Sequence, residues 1–100
     1  DVLVLDEPTK GLDPAAKADL GVLLADLHRA GRTVVTATHD LEFAAAYAER
    51  CALLFDGGIA SEGEPRDFFS RNLYYTTPVN RVMRTWLPKA VLPEDVFPWE

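Results

Sequence analysis

Two short apolar runs, each followed by a stretch with helical periodicity, constrain the fold of this 100-residue chain most strongly. Residues 2–5 read Val-Leu-Val-Leu, and residues 33–38 are rich in valine and threonine. Short runs of this kind are typical of strands that are buried on both faces of a parallel sheet. The order strand, helix, strand, helix therefore predicts an α/β fold with parallel strands and flanking helices.

The first predicted helix carries signals for both of its ends. Asp13 is placed to cap the first helix, Pro14 suits its first helical position, and Gly31 supplies the stop. The second helix is expected over residues 40–50. Each has one apolar face. The two faces consist of Leu20, Leu23, Leu24 and Leu27 and of Leu41, Ala44, Ala45 and Ala48.

After residue 50 the sequence predicts a β-hairpin. Residues 51–55 are expected to form one strand and residues 59–62 the returning strand, because Asp56-Gly57-Gly58 between them is a turn signal. A short helix is predicted over residues 65–70.

From residue 71 onward, prolines and aromatic residues are mixed. One more helix is predicted over residues 79–87, but the prolines exclude a long one. We therefore divide the chain into residues 1–70 and a C-terminal extension, residues 71–100. Whether the extension packs on the preceding residues or forms a partner interface stays open. Its aromatic residues are Tyr74, Tyr75, Trp86, Phe97 and Trp99.

The composition argues against several classes of protein. A net charge of −6 disfavours a nucleic-acid binder, because phosphate backbones favour dense lysine and arginine. Cys51 is the single cysteine, so a disulfide framework is excluded, and its apolar neighbours predict a buried, inert thiol. No run approaches the roughly 18 apolar residues of a membrane helix, and the start does not resemble a signal peptide. The chain opens inside an apolar run without Met, from which we expect a longer parent protein.

Two adjacent carboxylates, Asp6 and Glu7, follow the first apolar run. In open α/β sheets, ligands bind at the carboxyl ends of strands. Mg²⁺ usually takes one or two carboxylates together with substrate phosphates, so Asp6 is a candidate for its coordination shell. Glu7 is a candidate for orienting and deprotonating an attacking water. The alternative is that the pair simply ends a strand at the solvent.

Three motifs, in order along the chain, resemble those of ABC ATPases. Residues 1–9, with the letters DVLVLDEPT, resemble the Walker B motif, and residues 11–14, GLDP, resemble the D-loop. Residues 36–40, TATHD, resemble the H-loop and again end an apolar run. The resemblance covers nearly all of residues 1–70. It implies the C-terminal part of an ABC ATPase domain, which has a P-loop NTPase fold, with ATP and Mg²⁺ as cofactors.

The resemblance implies a role for each matched residue. Asp6 matches the aspartate that binds magnesium through water, and Glu7 matches the catalytic glutamate. Asp13 matches the D-loop aspartate, which in the family lies at the dimer interface and couples two ATP sites; helix capping is its other interpretation. His39 matches the switch histidine that contacts the γ-phosphate, and a polar strand end is the alternative. His28, late in the first helix, is assigned no chemistry.

Other motifs of the family do not occur in these 100 residues. No G-x-x-x-x-G-K-[ST] phosphate loop is present. Gly58 and Gly63 have its glycine spacing, but Glu64 and Pro65 follow them. The family's signature motif and Q-loop are also absent, and we expect all three upstream of Asp1. We therefore predict that these residues alone neither bind ATP tightly nor hydrolyse it.

Residues 6–20 and residues 72–95 of the extension resemble the ATPases of energy-coupling-factor transporters, which import vitamins and metal ions such as cobalt. This implies a subunit at the cytoplasmic face of the cell membrane that pairs with a second ATPase subunit or half and with a transmembrane coupling protein. Two alternatives remain open. A soluble ABC-type ATPase acting on DNA or the ribosome would be favoured by a coiled-coil insertion or a basic extension, and a non-catalytic regulatory domain by the loss of Glu7 or His39.

Overall fold

The computed structural model describes residues 1–72 and 76–96. Strands and helices alternate in the first half, and a hairpin and three short helices follow. In chain order the elements are β1 (Val2–Asp6), α1 (Pro14–Arg29), β2 (Thr33–Ala37), α2 (Leu41–Tyr47), β3 (Cys51–Phe55), β4 (Gly58–Gly63), α3 (Pro65–Arg71), α4 (Pro78–Met83) and α5 (Pro93–Val96). β1 and β2 pair in parallel and β3 and β4 antiparallel, so the predicted fold class is confirmed.

The parallel pair is covered on one face only by the described residues. Leu3 and Leu5 are half-buried, and α1 packs against β2. On the opposite face Val2, Val4 and Val35 are 67%, 70% and 50% exposed. The prediction that these strands are buried on both faces is therefore wrong for this structure, because the helices it describes cover only one side of the sheet.

Helix α1 begins and ends where the sequence predicts. The Ala16 amide donates to Asp13 Oδ1 over 2.8 Å, Pro14 is the first helical residue, and Gly31 follows the helix at φ +96°. Leu24 is buried and two other leucines of the predicted stripe are half-buried, but Leu23 is exposed. The buried face centres instead on Leu24 and a buried glycine at position 21.

Helix α2 ends at Tyr47, three residues before the predicted end, because the backbone at Ala48 is already extended. Ala45 is buried and the rest of the predicted apolar face is half-buried. Phe43, which that face did not include, is also buried, and its ring lies 5.1 Å from the ring of Tyr47. Both aromatic rings lie on the side of α2 that meets α1.

The second half of the chain is organised around a small apolar core. Its buried members come from α2, α3 and the segment before α5, and they are Ala45, Phe68, Phe69 and Val91. Cys51 and Leu53 of β3 pack against them. Burial raises the pKa of the Cys51 thiol to about 11, so the thiol stays protonated at neutral pH, as expected of an inert cysteine.

The predicted hairpin is confirmed. Phe55 pairs with Gly58, which leaves a two-residue loop. Asp56 and Gly57 have φ of +51° and +78°, the backbone of a type I′ turn, which favours the Asp-Gly sequence. One residue, Ala60, is left over between the two halves of the ladder and forms a bulge.

In the extension, α4 is shorter than predicted, but hydrogen-bonded turns continue the chain to Leu87. The side chain of Asn80 is fully buried and donates to the carbonyls of Pro88 and Ala90, 2.9 Å away in each case. The sequence did not predict α5. Trp86 is exposed. Four aromatic residues of the extension, Tyr74, Tyr75, Phe97 and Trp99, lie outside the described residues. Across residues 1–72 and 76–96, none of the helices has the length and apolar character of a membrane span.

Candidate functional site

The carboxyl ends of β1 and β2 bring the predicted site residues side by side. Asp6 pairs with Ala37 at the end of the parallel ladder, and the Glu7 amide donates to the Ala37 carbonyl over 2.7 Å. The residues after β1 therefore face those after β2, Thr38 and His39. This is the edge at which open α/β sheets bind their ligands.

Glu7 has the most tightly defined side chain of the cluster. Its Oε1 accepts a hydrogen bond from the His39 amide over 2.9 Å, and its Oε2 accepts one from the Thr38 hydroxyl over 3.3 Å. Its backbone φ is +48°, a conformation that costs a non-glycine residue about 1–2 kcal/mol. The side chain remains 32% exposed, so one part of the carboxylate faces solvent.

The His39 ring lies over this carboxylate but is open to solvent. Its Nε2 is 3.7 Å from Glu7 Oε1, and the side chain is fully exposed. An exposed ring that is anchored only through its backbone amide is free to donate a hydrogen bond to a group that arrives from solvent.

Asp6 lies on the solvent side of the same strand end. Within the described part of the chain, no side chain pairs with its carboxylate, and no group of three or more histidine, cysteine, aspartate or glutamate side chains forms a metal cluster. One exposed carboxylate beside a second one is the donor set that fits Mg²⁺ when a nucleotide supplies the remaining oxygens. Asp6, with Glu7 beside it, is therefore where the chain would hold such an ion.

Asp13 lies apart from this cluster. Its side chain caps α1, and no hydrogen bond or ion pair among the described residues joins it to Glu7 or His39. The structure thus supports the capping interpretation of Asp13. His28, to which no chemistry was assigned, is also outside the cluster, and its Nε2 lies 2.8 Å from Glu49 Oε1.

Asp40 is the residue of this region that sequence reasoning treated only as part of a motif. Its Oδ2 accepts from Lys17 Nζ over 2.7 Å, and its Oδ1 accepts from the Phe43 amide over 3.0 Å. Its own amide donates to the Thr38 hydroxyl over 2.9 Å. Burial alone would raise the pKa of Asp40, but hydrogen bonds from Lys17, Phe43 and Thr9 and the charge of Lys17 together lower it. Asp40 therefore stays ionised.

Sequence reasoning missed Lys17 altogether. The signal that could have indicated it is its position one helical turn after Asp13, on the same side of α1. Its partner is 23 positions away, and only the packing of α1 on α2 brings the two together.

A cleft runs from the site toward the extension. It lies between the start of α2 and α4, with His39 on one side and Arg81 and Val82 on the other, and its volume is about 450 Å³. The cleft is open to solvent, so a ligand at His39 would lie next to the first helix of the extension.

The fold and this cluster define the class of the protein: an α/β domain with its candidate site at the carboxyl ends of parallel strands. No protein-family model matches the chain. A protein of Bacillus thuringiensis named as an ABC transporter ATP-binding protein is 51% identical over 96 residues, which are 96% of this chain and 17% of that protein. The energy-coupling factor transporter ATP-binding protein EcfA of Methanocaldococcus jannaschii is 43% identical over 70 residues, 70% of this chain and 25% of the relative.

A solved structure agrees with these sequence matches. The structure of cbiO1 from Clostridium perfringens, described as part of the ABC transporter complex cbiONQ, superposes with a TM-score of 0.65 at 31% identity. The match covers 88% of this chain and 34% of cbiO1. The chain is thus related in sequence and in fold to the ATP-binding proteins of ABC transporters, and it spans only a part of their length. The family resemblance seen in the three motifs is confirmed.

Proposed function

We propose that this chain is the C-terminal part of a longer ABC-type ATPase that hydrolyses ATP, with Asp6, Glu7 and His39 as its site residues. The observation that carries the proposal is the pair of hydrogen bonds to the Glu7 carboxylate. Two donors from the residues after β2 hold a carboxylate that still reaches solvent, beside an exposed Asp6. A carboxylate that ended a strand with no further role would gain nothing from a left-handed backbone.

In the proposed reaction Glu7 orients a water and accepts its proton as the water attacks the γ-phosphorus, and ADP leaves as the bond from its bridging oxygen to that phosphorus breaks. The hydrogen bonds from Thr38 and His39 fix the carboxylate, so its orientation need not be found anew in each cycle. The His39 ring donates a hydrogen bond to a γ-phosphate oxygen. Asp6 would hold Mg²⁺, and the ion would supply positive charge that neutralises the phosphates.

The chain supplies only part of such a site. Its 100 residues contain no phosphate loop, whose backbone and lysine provide most of the grip on the β- and γ-phosphates. These residues alone should therefore neither bind ATP tightly nor hydrolyse it, and micromolar ATP affinity of the isolated chain would contradict this part of the proposal.

The relatives extend the proposal to transport. Two of them carry the name of energy-coupling factor transporter ATP-binding proteins. We infer a subunit on the cytoplasmic face of the membrane that works with a second ATPase subunit or half, where Asp13 lies at the interface. Its other partner is a transmembrane coupling protein, and the cargo is a vitamin or a metal ion. Residues 1–70 form the ATPase part and residues 71–100 the extension.

The test is Glu7→Gln in the full-length protein. Glutamine keeps the shape and accepts the His39 hydrogen bond through its amide oxygen, but it cannot take up a proton at neutral pH. We expect kcat to fall about 100-fold or more, with ATP affinity nearly unchanged. Glu49→Gln, which alters an exposed glutamate that pairs with His28, is the matched control and should leave both unchanged. Normal hydrolysis by Glu7→Gln would rule out the general-base role.

A further inference from the structure

A partly buried ion pair lies next to the candidate site. Lys17 of α1 and Asp40 at the start of α2 meet over 2.7 Å, with the lysine side chain 38% and the aspartate side chain 18% exposed. The same aspartate caps α2 through the Phe43 amide. One carboxylate therefore ties two helices together at their amino-terminal turns.

From Asp40 a continuous set of hydrogen bonds leads to Glu7. The Asp40 amide donates to the Thr38 hydroxyl over 2.9 Å, and that hydroxyl donates to Glu7 Oε2 over 3.3 Å. His39 lies between them in sequence, and its amide donates to Glu7 Oε1. Asp40 is therefore linked, by hydrogen bonds and by the chain, to both groups that hold the Glu7 carboxylate.

Lys17 is also linked to the other side of the site. Its amide donates to the Asp13 carbonyl over 2.9 Å, so it belongs to the first turn of α1, which Asp13 caps. The loop that precedes Asp13 begins at Glu7 itself. Lys17 thus closes a ring that runs from Glu7 through this loop to α1, across the ion pair to Asp40, and back through Thr38.

We propose that Lys17 is a positioning residue, which holds the segment of Thr38, His39 and Asp40 against Glu7 by fixing Asp40. The inference rests on the proposed function, in which Glu7 and His39 act on ATP. A half-exposed ion pair adds little to overall stability, about 0–1 kcal/mol. Its main effect is instead on the orientation of the Glu7 carboxylate.

The first test measures ATP hydrolysis by the full-length protein with Lys17→Met, which keeps the length of the side chain and removes the charge. We expect kcat to fall about tenfold, with KM for ATP changed less than about twofold, because the Lys17 side chain orients the base and does not contact the nucleotide. Lys17→Arg keeps the charge and should recover most of the lost kcat.

The matched control is Lys89→Met. Lys89 of the extension forms a lysine–aspartate pair of the same chemistry with Asp67 of α3. It should leave kcat unchanged. A wild-type kcat in Lys17→Met would overturn the proposal. So would a kcat in Lys17→Arg that is as low as in Lys17→Met.

The second test does not depend on hydrolysis. Amide hydrogen exchange of the full-length protein reports whether the His39 and Asp40 amides keep their acceptors, Glu7 and Thr38. We expect exchange in this segment to be about tenfold faster in Lys17→Met and unchanged in Lys89→Met. Unchanged exchange in Lys17→Met contradicts the positioning role. If the wild-type protein does not hydrolyse ATP, the proposed function fails, and the exchange measurement still decides the role of Lys17.

Discussion

Among single residues, Glu7 departs furthest from what its local sequence favours. Its left-handed backbone is costly for a glutamate, and the two hydrogen bonds to its carboxylate offset that cost. The sequence identified the residue, because an acidic pair after an apolar run is a local pattern. Its partners lie 31 and 32 positions further along the chain, so only the pairing of β1 with β2 reveals them.

Asp13 allows its two interpretations to be separated by one pair of substitutions. Asparagine caps helices about as well as aspartate, whereas alanine does not. Asp13→Ala should therefore lower the free energy of unfolding of the full-length protein by about 1 kcal/mol, and Asp13→Asn by much less. Urea unfolding measures both. If Asp13→Asn nevertheless reduces ATP hydrolysis, the carboxylate has the interface role as well as the capping role.

The ionisation of Asp40 makes the stability of the folded protein depend on pH in the acid range. Its pKa in the folded protein lies below the ordinary value of 3.8, because the hydrogen bonds and charge of Lys17 and the other donors outweigh burial. Ionised Asp40 therefore stabilises the folded state at pH values above the pKa that Asp40 has in the unfolded chain. This contribution is lost as the pH falls through the lower pKa that Asp40 has in the folded protein.

Asp40→Asn keeps the cap and removes the charge. At pH 7 it should cost about 1 kcal/mol of unfolding free energy, and the difference from the wild type should shrink below about pH 4. Urea unfolding at pH 7, 5, 4 and 3 follows the change. Asp19→Asn, on the exposed side of α1, is the control and should leave the unfolding free energy at pH 7 nearly unchanged. A difference for Asp40→Asn that grows in acid would contradict the assignment.

For the helices and strands, the start of each element was easier to predict than its buried face. The cap at Asp13 and the Asp-Gly turn are local, so the sequence alone indicates them. Leu23 was placed on the buried face of α1 and is exposed, because α2 approaches α1 at a glycine. Which leucines of α1 are buried depends on how α1 and α2 pack, and the sequence of one helix alone does not contain that information.

Gly21 makes this close approach possible. A Cβ atom at this position would lie 2.4 Å from the ring of Tyr47. Gly21→Ala should therefore destabilise the protein, although alanine is intrinsically better in a helix by about 1 kcal/mol. In a Tyr47→Ala background the clash is gone, and Gly21→Ala should then stabilise by about that amount. Urea unfolding of the four proteins of this cycle measures the reversal, and the same sign in both backgrounds would contradict the packing argument.

Across the whole molecule, the extension is joined to the first 70 residues by both apolar and polar contacts. Val91 enters the core with Phe68 and Phe69, and Arg66 pairs with Asp95. Burial would raise the pKa of Asp95, but the Val91 and Leu92 amides and Arg66 lower it. The sequence indicated the composition of this segment but not its path, because mixed prolines and aromatics have no period that specifies a fold.

Asn80 fixes the path of the extension through the hydrogen bonds of its side chain. Its amide group donates to the carbonyls of Pro88 and Ala90, and its Oδ1 accepts from Thr76 and Arg84. Asn80→Ala removes the Asn80 partner of the buried Thr76 hydroxyl and of the buried Ala90 carbonyl, each at a cost of about 1–3 kcal/mol unless water reaches it. The extension should then detach from the apolar core more often than the hydrogen bonds around Glu7 open.

Limited proteolysis and hydrogen exchange of the full-length protein test this difference. In Asn80→Ala we expect exchange over residues 76–96 to rise far more than exchange around His39, because the groups that hold Glu7 come from β1, β2 and the residues after them. Val82→Ala, an exposed position in the same helix, is the control and should change neither region. Equal acceleration in both regions would mean that the extension and the site unfold as one cooperative unit, since opening of the buried network would then also release the segment that orients Glu7.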